Sequence, residues 1–140
     1  MALPAEARVL LESDALAHLV TLNADGSPQV SIVWVGLDGE EIVAAHLRPQ
    51  QKLRNIRRDP RVVLSLEGTE TTSIGLREYL VVHGRARIEE GGAAEWLQHL
   101  ARTYIRPDAV FPPMPDPPPG WRTVITVERL GGVGPWAGRS

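Results

Sequence analysis

Hydrophobic and polar residues alternate along most of the chain, which is the pattern of strands that bury one face. Turn signals separate these stretches, among them Asp38-Gly39, a pair typical of a short hairpin. Gly84 interrupts one alternating stretch and predicts a β-bulge there. The first three predicted strands form an antiparallel meander. The predicted strands cover residues 15–22, 28–37, 41–47, 61–67, 78–88 and 122–129.

Three other stretches follow the helical period. The signal is weak over residues 5–14, whereas residues 50–58 predict a short helix that Pro60 ends. Residues 93–104 carry one apolar stripe, which predicts a helix packed on the core. Together these elements predict a mainly-β fold, a six-stranded antiparallel β-barrel with small helices. At 140 residues the chain has the length of one domain, and we expect a single one over 1–140.

A proline-rich segment, residues 107–120, contains seven of the chain's 12 prolines, too many for a helix or a strand. It carries Phe111 and Met114 and is followed by Trp121. Because long loops without secondary structure are usually functional or disordered, we expect this one to roof the substrate side of a binding site. A mobile surface linker is the alternative. Further on, glycines at 131, 132 and 134 precede Pro135 rather than a helix, which predicts a flexible C-terminal turn instead of a dinucleotide site.

Basic residues are concentrated in one stretch of the chain. The basic segment, residues 48–61, holds six basic residues and one acidic residue, although the whole chain has a net charge of −2. Lys52, the chain's only lysine, lies among these arginines. A cationic helix that follows a predicted hairpin indicates an anion site, with a solvated helix face as the alternative. Nucleic-acid binding is not supported, because the rest of the chain is acidic and no aromatic residues interleave with the arginines.

Several kinds of chemistry have no support in the sequence. The chain has no cysteine, and its four histidines show no metal-ligand spacing, so we expect neither thiol nor metal chemistry. His46 differs from the others in place only, since it ends the third strand just before the basic segment. No apolar run is long enough for a membrane span, and the first residues lack a secretion signal, so we expect a cytoplasmic protein. No catalytic side chain stands out.

Three stretches together resemble a known family. Residues 22–31 (LNADGSPQVS), 52–62 (KLRNIRRDPRV) and 132–136 (GVGPW) are similar to the pyridoxamine 5′-phosphate oxidase-like split β-barrel proteins. Within that family, the chain resembles the flavin/deazaflavin oxidoreductases of actinobacterial type. The likeness covers nearly the whole chain. It implies a homodimer with two cofactor sites at the subunit interface.

The resemblance also implies which residues bind the cofactor. Lys52 matches the lysine that holds the cofactor phosphate, and the strand residues match those that run along the ring system. His46 stands where family members often have serine or threonine. The implied cofactor-binding residues are Ser31, Val33, Ala45, His46, Gln51, Lys52, Asn55 and Arg58.

These expectations lead to one function and two alternatives. The first is a deazaflavin (F420)-dependent oxidoreductase that transfers a hydride between the cofactor and a small conjugated or planar substrate. On the same fold, FMN is the alternative cofactor, because both tails present a phosphate to Lys52. The other alternative is a non-catalytic protein that binds a cofactor or a tetrapyrrole. Neither a nucleic acid nor a membrane is an expected partner.

Overall fold

The computed structural model of the chain describes residues 1–139, in which seven strands and three helices are found. The helices are α1 (Ala5–Leu11), α2 (Gln51–Arg58) and α3 (Ala93–Tyr104). The strands are β1 (Ala17–Leu22), β2 (Pro28–Val33), β3 (Gly36–Asp38), β4 (Glu41–His46), β5 (Arg61–Thr71), β6 (Arg77–Glu90) and β7 (Trp121–Val133). The longest helix has 12 residues, and none in the described part of the chain has the length and apolar character needed to span a bilayer.

The strands form one antiparallel sheet with the order β2-β1-β5-β6-β7-β4-β3. Its two edge strands, β2 and β3, are consecutive in the chain and separated only by Trp34 and Val35. In a flat sheet the first and seventh strands would lie roughly 29 Å apart. The chain from Val33 to Gly36 can reach at most about 11 Å. The sheet is therefore strongly curled, although β2 and β3 do not pair and the hydrogen-bonded ladder does not close.

The predicted strand over residues 28–37 is in fact two strands. β2 pairs with β1 and β3 pairs with β4, so the predicted three-stranded meander is wrong. The break coincides with a contact from α3, because the Val35 backbone N–H donates to the Tyr104 hydroxyl at 3.1 Å rather than to a neighbouring strand. That hydroxyl in turn donates to the Ala15 carbonyl at 2.9 Å. The predicted mainly-β antiparallel fold with small helices is confirmed, with seven strands in place of six.

The other element predictions differ from the structure mainly at the ends. α3 has the predicted bounds, and the predicted bulge is present as a register shift between His83 and Gly84. The C-terminal turn is wrong in part, because Gly131 and Gly132 continue β7 and pair with β6. The residues that follow hold Trp136, whose side chain is buried and whose Nε1 donates to a β6 carbonyl.

The core fixes the position of α2, the helix within the basic segment. Leu53 and Ile56 are fully buried, and the helix packs against β1 and β6. Burying two such side chains contributes roughly 3–6 kcal/mol to the stability of this docking. Lys52 and Asn55 lie on the same side of the helix as these two residues and are therefore buried as well.

Candidate functional site

A cavity of about 380 Å³ lies where β2, β4, α2, α3 and the proline-rich segment meet. Its polar lining consists of His46, Arg48, Gln50 and Lys52. The rest of the lining is apolar or aromatic and comes mostly from the ends of β2 and β4. Among the described residues that line it are two cationic side chains and no carboxylate. The cavity therefore suits an anionic ligand with an apolar body.

Lys52 is the most unusual side chain of this cavity. Only 7% of it is exposed, and its Nζ donates to the Ser31 hydroxyl at 3.3 Å. No ion pair joins it to a carboxylate anywhere in residues 1–139. Burial lowers the pKa of the Lys52 ammonium below its usual value. A buried ammonium has three donors and is unfavourable without a countercharge, so this group is poised to bind an anion.

His46 lies beside Lys52 and is uncharged at neutral pH. Its Nε2 is 2.8 Å from the Thr123 hydroxyl on β7, and the side chain is buried. Burial, and to a lesser degree the charge of Lys52, lowers the pKa of His46 to about 3. A neutral imidazole offers hydrogen bonds without adding charge, so the cationic character of this end of the cavity comes from Lys52 and Arg48.

Asn55 is the centre of a second polar cluster, which holds α2 to the β1–β2 hairpin. Its Oδ1 accepts from Gln51 at 2.9 Å and from Arg58 at 3.1 Å. Arg58 also donates to the Leu22 carbonyl. Because Asn55 is completely buried, these bonds fix the helix rather than a ligand. The Nδ2 of Asn55 lies within 3.0 Å of side-chain oxygens of Thr21, Asn23 and Gln29.

The eight predicted cofactor-binding residues thus fall into two groups. Those that line the cavity are Val33, Ala45, His46 and Lys52, and Ser31 contacts the Lys52 ammonium. The remaining three, Gln51, Asn55 and Arg58, do not line it and instead support the helix that presents Lys52.

Trp34, an aromatic residue of the cavity lining, was not among the predicted site residues. It stacks on Tyr104, with ring centroids 5.3 Å apart and planes 9° from parallel. Phe111 also lines the cavity and packs at 5.4 Å against Trp34. The available signal was that Trp34 follows Val33 within the predicted ring-side strand, residues 28–37. Of the apolar residues singled out near the proline-rich segment, Phe111 reaches the cavity, whereas Met114 and Trp121 do not.

A larger groove, of about 780 Å³, runs between α1, the start of β1 and the β5–β6 hairpin. Its floor includes Val9, Leu10 and Leu16. Although it also contains Arg77, its acidic rim disfavours an anionic ligand. The smaller cavity is therefore the better candidate site. The carboxylates of the groove are Glu6, Asp14, Glu67, Glu70 and Glu78.

Comparison with known proteins agrees with the fold. The sequence profile of the pyridoxamine 5′-phosphate oxidase family matches residues 3–133, and the chain belongs to this family. The resemblance inferred from the three sequence stretches is thereby confirmed.

Three solved structures illustrate the range of similar proteins. An F420 reductase is 28% identical, with a TM-score of 0.73 over 92% of this chain and 98% of that one. A heme binding protein from Mycobacterium smegmatis is 26% identical, with a TM-score of 0.62, over 92% of this chain and 52% of that one. HupZ from Group A Streptococcus, at 20% identity, a TM-score of 0.67 and 99% coverage of both chains, shows the shared fold alone. The family and the reductase together support a flavin-type oxidoreductase or a cofactor-binding role.

Proposed function

We propose that this protein is an F420-dependent oxidoreductase that acts on a small planar or conjugated substrate. The observation that carries the proposal is the Lys52 ammonium, which is buried at the cavity and has a hydroxyl as its partner instead of a carboxylate. The similarity to an F420 reductase over nearly the whole of both chains supports the choice of cofactor.

The residues of the cavity fit such a cofactor. A tricyclic ring needs an apolar surface, which Val33 and Ala45 supply from β2 and β4. An anionic tail needs cations, which Lys52 and Arg48 supply. Bound there, reduced F420 would supply a hydride to an electron-poor carbon of the acceptor and release one proton as it becomes oxidised F420, and a proton from water would complete the reduction.

In this proposal the chain binds and orients rather than reacts. Lys52 holds the phosphate, and the Asn55 cluster keeps the helix that carries Lys52 in place. His46 stays neutral and hydrogen-bonded to Thr123, so it adds no charge to the Lys52 end of the cavity. The apolar lining excludes water from the ring, which protects a hydride from side reactions. No side chain is assigned as a general acid or base.

FMN is a weaker candidate cofactor, because its single phosphate would use Lys52 alone. Arg48 also lines the cavity and is exposed. This second cation favours the longer, carboxylate-bearing tail of F420.

A non-catalytic tetrapyrrole-binding role has one observation in its favour, the similarity to a heme binding protein at 26% identity. Carboxylates of a tetrapyrrole would meet the same cations, and the aromatic residues Trp34 and Phe111 would meet its ring. The chain spans about half of that relative, so the comparison carries less weight than the one with the reductase.

We infer that the working unit is a homodimer. Val30 and Ile32 of β2 are 62% and 59% exposed, and they lie on the outer face of the sheet. Ile32 also lines the cavity, so this apolar face and the site are continuous. A second copy packed on this face would cover the exposed residues and complete the site. Val30→Arg should then give a monomer in sedimentation, together with weaker cofactor binding, and a dimer that survives the change would contradict the inference.

The proposal is tested by titrating the purified protein separately with F420, FMN and hemin, followed by an anaerobic turnover assay. We expect F420 to bind most tightly and reduced F420 to be oxidised only when protein and a planar acceptor such as menadione are both present. Tightest binding of FMN would favour the alternative cofactor. Binding of hemin without any oxidation of reduced F420 would favour the non-catalytic role.

A further inference from the structure

The proline-rich segment is held by a two-point clamp on α3. The Gln98 side chain donates through Nε2 to the Ala109 carbonyl at 2.8 Å and accepts through Oε1 from the Phe111 backbone N–H at 3.0 Å. Ala109 is buried, whereas Val110 between the two clamped residues is 79% exposed. One amide side chain therefore sets the position of Phe111 at the edge of the cavity.

The surface that Phe111 meets is itself rigid. Trp34 contacts both Phe111 and Tyr104, and the Tyr104 hydroxyl is hydrogen-bonded to the backbone at Val35 and Ala15. The positions of Trp34 and Tyr104 are therefore fixed by the bend between β2 and β3 and by the end of α3. We call Trp34, Tyr104 and Phe111 the aromatic wall.

Trp34 and the partner of the Lys52 ammonium, Ser31, start from separate points of the chain. They are three residues apart on nearly extended chain, which places their Cα atoms roughly 10 Å from each other. The other apolar residues of the cavity lining include Ile32 and Leu97. A ligand group that contacts the aromatic wall is stabilised by stacking and needs no charge of its own.

We propose that the aromatic wall is the acceptor subsite, that it takes neutral planar conjugated rings such as quinones, and that Gln98 is its positioning residue. This inference rests on the proposed function, because it divides the cavity into a cofactor part at Lys52 and an acceptor part at Trp34 and Phe111. Aromatic rings prefer offset-stacked or edge contacts with the wall, and a compact non-aromatic acceptor cannot make them. The wall therefore selects among acceptors without touching the cofactor phosphate.

The test compares Gln98→Ala with a control in the same segment, Val110→Ala, whose side chain is exposed and does not line the cavity. The first readout is hydrogen exchange of the Phe111 backbone amide, measured by NMR. Gln98→Ala should speed this exchange at least tenfold because the acceptor of that N–H is lost, and Val110→Ala should leave it unchanged. Unchanged exchange in Gln98→Ala would overturn the clamp.

The second readout is steady-state turnover of reduced F420 with two acceptors, menadione and the non-aromatic 2-cyclohexen-1-one. Gln98→Ala and Phe111→Ala should each raise KM for menadione at least fivefold, with kcat within twofold and little change in KM for 2-cyclohexen-1-one. Equal effects on both acceptors, or none on either, would contradict the aromatic subsite.

A third readout separates failure of this inference from failure of the proposed function. Menadione is titrated into the protein with and without oxidised F420, and the Trp34 indole and Phe111 amide signals are followed by NMR. Shifts of both signals, lost in Phe111→Ala, support the subsite even if F420 does not bind. If F420 binds in a separate fluorescence titration and menadione shifts neither signal, the subsite is wrong and the proposed function stands.

Discussion

Lys52→Met is the substitution that separates binding from folding most cleanly. Methionine keeps most of the length and packing of the lysine stem and removes only the ammonium. In the free protein Lys52 is 7% exposed and its ammonium has the Ser31 hydroxyl as its partner at 3.3 Å, so folding gains little from its charge. We expect the free energy of unfolding to stay the same or to rise slightly, because a buried charge without a countercharge is removed.

Binding of F420 should respond in the opposite sense. A hydrogen bond between the ammonium and a phosphate is worth about 1.5–3 kcal/mol, which corresponds to a loss of affinity of roughly 10- to 150-fold. The assay is a fluorescence titration of F420 at fixed ionic strength, with thermal unfolding of each variant measured in parallel. Because burial already lowers the pKa of Lys52, wild-type affinity should also weaken at high pH earlier than for an exposed lysine.

The matched control is Arg54→Met on the same helix. Arg54 is exposed and donates to Gln51 at 2.6 Å, so its loss removes one positive charge without touching the cavity. Its effect on F420 affinity should stay within about threefold at physiological salt, where exposed charges are screened. Equal losses in the two variants would refute a specific contact at Lys52, and a lost unfolding transition in Lys52→Met would show that the residue is structural.

Three further predictions concern stability. His46 has a pKa of about 3 in the folded protein, below its usual 6.5. Its stabilising contribution to the free energy of unfolding is therefore present above pH 6.5 and is lost as pH falls toward 3. Between pH 7 and pH 5 the free energy of urea unfolding should therefore fall by about 2 kcal/mol more in wild type than in His46→Gln. Equal decreases in the two proteins would contradict this. Gly120 has φ +60, and a Cβ added there would overlap the His46 carbonyl. Gly120→Ala should therefore lower the free energy of unfolding by more than about 2 kcal/mol. Gly26, at φ +85 in open space, is the control, and Gly26→Ala should lower it by about 1 kcal/mol. Asn55→Ala should lower the free energy of thermal unfolding by roughly 2–4 kcal/mol, since several buried polar atoms lose their partner. A variant as stable as wild type would show that the cluster does not hold α2.

Elements whose partners are local could be predicted from sequence. α3 has its predicted bounds because a continuous apolar stripe and the preceding Gly91-Gly92 act within one stretch of chain. α2 ends where Pro60 requires it to. The Gly84 bulge was also visible, because a missing side chain in an alternating strand is a local signal.

Features set by distant residues could not be predicted in this way. Residues 32–35 are four consecutive apolar residues without a turn signal. The bend after Val33 is bonded to the Tyr104 hydroxyl, far along the chain. Gly131 and Gly132 have low strand propensity, yet pairing with β6 overrides it. The aromatic wall is likewise assembled from the bend after β2, the end of α3 and the proline-rich segment, so no single window contains it. By contrast, Lys52 stood out as the chain's only lysine within a local basic segment.

The central claim is that the Lys52 cavity selects F420. Equilibrium dialysis of the purified protein against equal concentrations of F420 and FMN, followed by chromatographic measurement of both in the protein chamber, tests it directly. We predict an excess of F420 over FMN of at least tenfold, with this retention reduced at least tenfold in Lys52→Met. An excess of FMN, equal retention of both, or retention of F420 that Lys52→Met leaves unchanged would contradict the claim.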